Sequence, residues 1–307
     1  MLDVLVQCGE DKEVKAMLLE GLLGEMLAVV VHIHTTFFVK KAWLKTANSL
    51  LSGSGGGVRK MLAQLFSEDI EHLVDLLYTC GDYDMQSSVV ETLLRLSNKG
   101  DRTKLAAAWF PKYALVQSLF IRIKEFETDC RNFLNCFNQG LGVNQLVFTF
   151  TALACQVGDQ ELFIPPDNKY RNFWIDFNIG SASLSVYHVK EEGSKDLWDL
   201  LIITKDMVSS SSISNIVGST VLTLTLPSSQ AVITFTQDPK LSQLVSEIFP
   251  SKTVPPDPVQ SSQVVRCSRA VEEASIGREV ADDLLLQSDN QVRQDKLFKE
   301  LPRINVL

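Results

Sequence analysis

Residues 170–189 carry the feature that most constrains how this chain folds. Apolar and polar residues alternate from Phe173 to Ile179, Gly180 and Ser181 interrupt the pattern, and the alternation resumes at Leu184. Two alternating runs joined by a glycine-containing turn predict a β-hairpin. Upstream of this stretch, apolar residues recur every three or four positions, which is typical of helices. We therefore expect a helical region followed by a β-rich one.

The helical pattern covers residues 1–143. Its first run, over residues 14–33, is apolar nearly all round, and shorter amphipathic runs follow with brief connections. Gly53 to Gly57 predict a flexible loop after the second helix, Ser67 is the expected N-cap of a later helix, and Asp82 or Asp84 is expected to cap the next. Such a series predicts an armadillo-like solenoid, and a plain helical bundle is the alternative.

The β pattern covers residues 144–250. About seven short strands are expected, followed by an amphipathic helix over residues 240–249, and this order is typical of a pleckstrin-homology-like barrel. The serines at 209–212 are expected to form a polar loop. Residues 251–307, which begin with a proline-rich linker, are expected to be a largely disordered tail. The predicted fold class is therefore α+β and multidomain.

Composition narrows the function. A net charge of −8 over 307 residues excludes a surface that is basic throughout, so any contact with DNA must be local. The six cysteines form no CxxC pair, which favours reduced structural thiols in the cytosol or nucleus. The apolar run at 22–39 is interrupted by Glu25 and two histidines, which favours a buried helix over a membrane span.

No group of residues predicts catalysis. His32 and His34, two apart on the expected helix, point to different faces, and no further metal-ligand type accompanies them. The glycines at 53–57 are not followed by the lysine and hydroxyl residue of a phosphate-binding loop. We therefore predict a protein that is not an enzyme, with no cofactor, no metal site and no small-molecule substrate.

Two sets of residues are candidates for binding protein partners. A basic cluster in the second helix fits an acidic peptide or a phosphate, and its alternative interpretation is a solvated helix face. Aromatic residues of the β region are candidates because aromatic side chains often anchor interfaces. The first set is Lys40, Lys41, Trp43 and Lys45; the second is Trp174, Tyr187 and Trp198.

Several segments together resemble the synaptonemal complex protein 2 family. The most specific are Cys80-Gly81-Asp82-Tyr83-Asp84, the run EFETDCR at 125–131 and the run FWIDFN at 173–178, and Trp109-Phe110 and the run VFTF at 147–150 add to them. The likeness covers residues 70–249. It implies an armadillo-like domain followed by a pleckstrin-homology-like domain related to the middle domain of the histone chaperone subunit Spt16.

The resemblance also implies a function. It predicts a non-enzymatic scaffold of the meiotic chromosome axis, located in the nucleus on meiotic chromosomes, with protein partners of the axis or the centromere. The alternative is a histone- or chromatin-binding module. A phosphoinositide-binding adaptor is a third hypothesis, for which Arg171, Lys190 and Lys195 are the available cations. This sequence lacks the family's coiled coil, so the resemblance does not imply that this chain self-assembles. The chain is expected to be a fragment or a short isoform.

Overall fold

The computed structural model describes residues 12–167, 170–193 and 198–250 of the chain. These residues divide into two compact units, with the division between Leu146 and Val147. In the described part of the first unit all the regular elements are helical, whereas the second unit combines antiparallel strands with one C-terminal helix. The tail expected at 251–307 lies outside the described residues.

The described residues of the first unit form eight α-helices. They are α1 (Lys12–Val31), α2 (Phe37–Leu51), α3 (Gly56–Leu65), α4 (Ser67–Thr79), α5 (Tyr83–Leu96), α6 (Arg102–Trp109), α7 (Ala114–Arg122) and α8 (Phe126–Gly140). Neighbouring helices such as α1 and α2 or α7 and α8 pack together, and contacts also recur between helices three apart: α1 with α4, α2 with α5, and α5 with α8. Recurrent contact at a fixed spacing is what stacked helical repeats require.

The apolar stripes predicted along the helices form the core of this unit. Leu44, Ala47 and Leu51 of α2 are buried, as are Leu73 and Leu77 of α4. Towards the end of the unit, Phe110, Phe120, Phe133 and Phe137 are also buried, and their rings pack with centroids 5.3 to 6.0 Å apart. Phenylalanine rings bury a large apolar area, so this cluster fixes α6, α7 and α8 to one another.

Three local predictions in the helical unit were wrong. Ser67 is the first residue of α4 and does not cap it, because α3 and α4 follow each other with only Phe66 between them. His32 and His34 lie after the end of α1 rather than on a helix, with their ring centroids 5.5 Å apart. The glycine-rich loop is shorter than expected, since Gly56 and Gly57 already belong to α3.

The described residues of the second unit form an antiparallel sheet of eight strands, one more than the sequence predicted. They are β1 (Val147–Val157), β2 (Gln160–Leu162), β3 (Phe173–Asn178), β4 (Ser183–His188), β5 (Asp199–Thr204), β6 (Ser210–Ile216), β7 (Ser219–Thr225) and β8 (Gln230–Thr236). The strand order is β5-β4-β3-β1-β8-β7-β6, with β2 paired to β1 beside this path. The expected hairpin is β3–β4, in the register Ile175 to Val186 and Phe177 to Leu184.

The long strand β1 joins the two halves of the sheet. Its first part pairs with β3 and its second part with β8, and the register shifts between Ala152 and Ala154. A bulge of this kind bends a strand, which turns the two halves towards a shared core. Helix α9 (Lys240–Ile248) buries Leu241, Leu244, Val245 and Ile248 in that core.

The prediction of a polar loop at 209–212 was wrong, because Ser210, Ser211 and Ser212 begin strand β6. Only Ile213 and Ile216 of this strand belong to the β-branched and aromatic residues that are enriched in strands, so the sequence pattern gives little indication of it. Pairing with β7 stabilises the strand, with Ile213 opposite Leu222 and Ser211 opposite Leu224. The strand forms because its neighbour forms.

Candidate partner-binding surfaces

Two of the predicted lysines of α2 form an ion-pair cluster with the start of α5. Lys41 Nζ lies 2.8 Å from Asp82 Oδ1 and 3.4 Å from Asp84 Oδ2, and Lys45 Nζ lies 3.7 Å from the same oxygen of Asp84. Asp82 is also the N-cap of α5, since its Oδ1 accepts a hydrogen bond from the backbone N–H of Met85 at 2.8 Å. The cluster therefore ties α2 to the first turn of α5.

The charge of this cluster is balanced. The Lys41 side chain is 16% exposed, and the side chains of Asp82 and Asp84 are 2% and 8% exposed. Burial lowers the pKa of Lys41, but the charges of Asp82 and Asp84 and the hydrogen bonds to them outweigh burial and raise it overall. Because two lysines face two aspartates, we expect little attraction for a phosphate group here.

The remaining basic and aromatic candidates on α2 differ in exposure. The Lys45 side chain is 61% exposed and is the accessible cation of the ion-pair cluster. Lys40 and Trp43 are half-buried, and burial lowers the pKa of Lys40. Phe38, which the sequence analysis did not select, is 82% exposed one helical turn before Lys41 and two before Lys45. At 3.6 residues per turn Phe38 and Lys45 lie on one side of the helix, whereas Lys40 and Trp43 lie on other sides. We call Phe38 and Lys45 the α2 surface.

Phe38 could have been found from the sequence. The buried stripe of α2 runs through Leu44, Ala47 and Leu51, and spacing by three or four places Phe37, not Phe38, on the same face. A second phenylalanine outside the stripe is therefore expected in solvent. A large apolar side chain beside an exposed lysine is suited to contact with a protein rather than with a highly charged ligand.

The aromatic candidates of the β unit lie on one face of the sheet. Continuing the register from Ile175 and Val186 places Trp174 opposite Tyr187, and Tyr187 lies opposite Leu200 of β5. Phe173 and Ile175 occupy the other face, in the core. Trp174, Tyr187 and Leu200 are each half-buried. We call these three residues the sheet surface.

Trp198 lies one residue before β5 and packs on the buried ring of Tyr170, with the centroids 4.9 Å apart. It is half-buried, so part of its ring is already used inside the unit. Trp198 lies two residues before Leu200, and the β4–β5 register therefore places it on the same face of the sheet as Tyr187. The structure thus brings Trp174 and Tyr187 together directly, with Trp198 at their margin.

Further along the same face, the side chains are polar and buried. Asp176 accepts a hydrogen bond from Thr149 Oγ1 at 2.7 Å, and Asn178 Nδ2 donates to Ser185 Oγ at 3.0 Å and Ser183 Oγ at 3.3 Å. All of these except Thr149 are at most 2% exposed. The sheet surface is therefore limited to its aromatic end, and the polar end has a structural role because its hydrogen bonds are internal.

Other kinds of site find little support among the described residues. Within 12–167, 170–193 and 198–250, no three His, Cys, Asp or Glu side chains come together as metal ligands. None of the helices in these ranges is long and apolar enough to cross a membrane. Of the cations considered for a phosphoinositide site, Lys190 pairs with Asp199 at 3.3 Å, and Lys195 lies outside the described residues.

Comparison with known proteins gives one consistent result. Residues 147–245 match the family model described as the synaptonemal complex 2 Spt16M-like domain. Synaptonemal complex protein 2 of Rattus norvegicus is 35% identical over 221 residues, which are 70% of this chain and 14% of that protein. Synaptonemal complex protein 2-like of Xenopus laevis is 34% identical over 225 residues, 72% of this chain and 23% of that protein.

A solved structure described as a synaptonemal complex protein superimposes with a TM-score of 0.69 at 28% identity, covering 81% of this chain and 65% of that one. The helical region followed by an antiparallel sheet and a C-terminal helix is thus shared with that protein. This chain spans only a small part of the length of the curated relatives.

Proposed function

Because this chain belongs to the synaptonemal complex protein 2 family, we propose that it is a non-enzymatic scaffold of the meiotic chromosome axis that binds protein partners in the nucleus. The observation that carries the proposal is the extent of the similarity. The relatives align over 221 and 225 residues, well beyond the domain at 147–245. The likeness therefore extends into the helical unit, and we propose that both units take part in the function.

The two surfaces support a binding role. The α2 surface offers an exposed Phe38 beside Lys45, over an ion-pair cluster whose charges cancel. The sheet surface offers two facing aromatic residues, Trp174 and Tyr187. Large apolar and aromatic side chains on a rigid support are the usual anchors of protein interfaces. In this proposal the helical unit is an armadillo-like array and the β unit a pleckstrin-homology-like domain, and each contributes one surface.

The test is capture of axis proteins by the full chain from meiotic nuclear extract, at low and at moderate salt, with identification by mass spectrometry. We expect axis or centromere proteins to remain bound at moderate salt, since apolar contacts are weakly screened. Phe38→Ser/Lys45→Ala and Trp174→Ala are each expected to reduce capture. Lys60→Ala, on the exposed side of α3, is the matched control. Equal capture by all folded variants would contradict the assignment of these surfaces.

A second candidate function rests on the description of the matched domain as Spt16M-like. In that case the β unit binds histones or chromatin. Binding of purified histones should then fall steeply as salt rises, because basic partners of an acidic chain are held by charge. Binding of duplex DNA should fall as well, because it would depend on local contacts between basic side chains and phosphates. Retention of histones only at low salt, with no axis protein at moderate salt, would favour this function over the scaffold.

A further inference from the structure

Strand β6 forms one open edge of the sheet. It pairs with β7 along its whole length, from Ser210–Thr225 to Ile216–Ser219, and the described residues place no strand on its other side. Alternate residues of an edge strand direct their N–H and C=O groups outward, where they are available to another strand. Ser212, Ser214 and Asn215 are exposed. The backbone of this edge is therefore accessible.

This edge lacks the features that usually prevent strand addition. Edge strands are commonly protected by charged side chains, by proline or by a bulge. β6 contains no proline, its register with β7 is uninterrupted, and no Asp, Glu, Lys or Arg occurs from Met207 to Gln237. At the opposite edge, by contrast, β5 begins with Asp199, which pairs with Lys190.

Exposed apolar side chains mark the two ends of β6. In the described residues of the β unit, the exposed large hydrophobic side chains are Met207, Ile216 and Val217, which are 42%, 37% and 96% exposed. Met207 precedes the strand, whereas Ile216 and Val217 lie at its end and in the turn to β7. This arrangement complements itself when two copies of the strand run in opposite directions.

We propose that β6 is a self-association surface on which β6 of a second copy of this chain adds antiparallel, joining the two sheets into one. A two-fold axis at Ile213 then places Ser212 opposite Ser214 of the partner copy, Ser211 opposite Asn215, and Ser210 opposite Ile216. The next pair in this register is Ser209 and Val217, which brings Val217 of each copy close to Val208 and Met207 of the other. No facing pair carries like charges, although the whole chain has a net charge of −8.

The charge argument selects this occupant. Two copies of an acidic chain repel each other, and this repulsion is weakest where they meet through a segment without charged residues. A pairing of seven residues is smaller than a standard protein interface, so the dimer is expected to be weak and dependent on concentration. Such an interface would connect copies of the proposed scaffold.

The test measures the mass of the full chain in solution by sedimentation velocity over a wide range of concentration. Wild-type protein should shift towards twice the chain mass as concentration rises. Ser212→Lys/Ser214→Lys and Ser212→Glu/Ser214→Glu each place like charges opposite one another in the dimer, and each should weaken association at least about tenfold. An equimolar mixture of the two variants should associate again, because Lys then faces Glu at every position.

Ser228→Lys/Gln230→Lys is the matched control, since it adds the same charge at the turn before β8 and at its first residue, both exposed. It should associate like wild type. The proposal is overturned if wild type stays monomeric throughout, if the double variants associate normally, or if their mixture does not recover. Circular dichroism of each variant verifies that the sheet remains folded.

Hydrogen exchange distinguishes a second copy from another occupant of the edge. Outward-facing amides of residues 210–216 should exchange quickly when wild type is monomeric and slowly when it is dimeric. Protection that is already complete in the monomer would mean that a segment of the same chain covers β6. That result would overturn the proposal.

Discussion

At the scale of single residues, Gly24 in α1 is a glycine whose position leaves no room for a side chain. A Cβ atom added there would lie 2.7 Å from Cε1 and 3.3 Å from Cδ1 of Phe66, which connects α3 to α4. Gly21, one turn earlier in the same helix, is exposed and has no atom within 4 Å of the same position. Substituting each glycine by alanine therefore distinguishes the effect of packing, present only at Gly24, from the effect of helix propensity, present at both.

Gly24→Ala is expected to destabilise the helical unit by about 1–2 kcal/mol, since the cost of overpacking against Phe66 exceeds the gain in helix propensity. Gly21→Ala should instead stabilise it by about 0.5–1 kcal/mol, because only the propensity term remains. Urea denaturation of both variants measures the difference. Equal effects of the two substitutions would show that the Phe66 ring moves aside without cost.

Three thiols make the stability of the helical unit depend on pH in the alkaline range. Burial raises the pKa of Cys80 and Cys130 to about 12 each, and that of Cys136 to about 11. In the unfolded chain these thiols ionise near pH 8.5, whereas in the folded unit they remain protonated. Their contribution to stability is therefore complete below the unfolded pKa and is lost as pH rises towards the folded one.

Between pH 8 and pH 10 the free energy of unfolding should consequently fall by about 2 kcal/mol for each of these thiols. Cys130→Ala removes one of the three, so its stability should fall less steeply over the same interval. Urea titrations at the two pH values measure both slopes. A slope that Cys130→Ala leaves unchanged would assign the loss to other groups.

At the scale of elements, a buried amide pair joins α5 to α8. Gln86 Nε2 donates to Asn138 Oδ1 at 2.8 Å, and Asn138 Nδ2 donates to Gln86 Oε1 at the same distance. Gln86 also donates to the carbonyl oxygen of Leu77 in α4 at 3.1 Å. The two side chains are 1% and 2% exposed, so removing one leaves the other without water to replace its partner.

Asn138→Ala is expected to lower the free energy of unfolding by about 2–3 kcal/mol, because it leaves the buried amide of Gln86 without its partner and removes packing contacts. The exposed Asn132 of α8 provides the control, and Asn132→Ala should change stability by less than about 0.5 kcal/mol. A double-mutant cycle with Gln86→Ala should give a coupling energy of about 1 kcal/mol or more. Strictly additive effects would refute the pairing.

At the scale of the whole molecule, the chain consists of two units, each with its own core. The β unit gathers residues of both sheet halves and α9 into one cluster, which includes Ile175, Phe177, Phe235 and Leu244. The helical unit has separate apolar stripes and its own phenylalanine cluster. A hydrophobic core of its own is the physical condition for each unit to fold independently.

We therefore predict that fragments covering residues 1–143 and 144–250 each fold when produced alone. Each should unfold cooperatively in urea, and their circular dichroism spectra should sum to that of residues 1–250. An unfolded 144–250 fragment, tested beside a longer fragment that begins at residue 126, would contradict independence. Recovery of folding in the longer fragment would then place part of the stabilisation in α8.

Much of the fold follows from the sequence because the hydrophobic period is local information. The spacing in α2 and α4 and the alternation around Gly180 predicted the observed helices and the β3–β4 hairpin. The N-cap at Asp82 was one of two predicted alternatives, and its hydrogen bond to Met85 selects it. The similarity to the synaptonemal complex protein 2 family could also be recognised from the sequence alone.

Tertiary structure decided what depends on partners distant in sequence. Lys41 was one of a basic cluster in the sequence, but Asp82 and Asp84, about 40 residues later, balance its charge. Trp174 and Tyr187 face each other only through strand register. β6 carries no periodic signal of its own and becomes a strand through its pairing with β7. Local sequence thus determined which segments become helices and most of the strands, whereas charge balance, facing residues and an open edge arise only when distant segments meet.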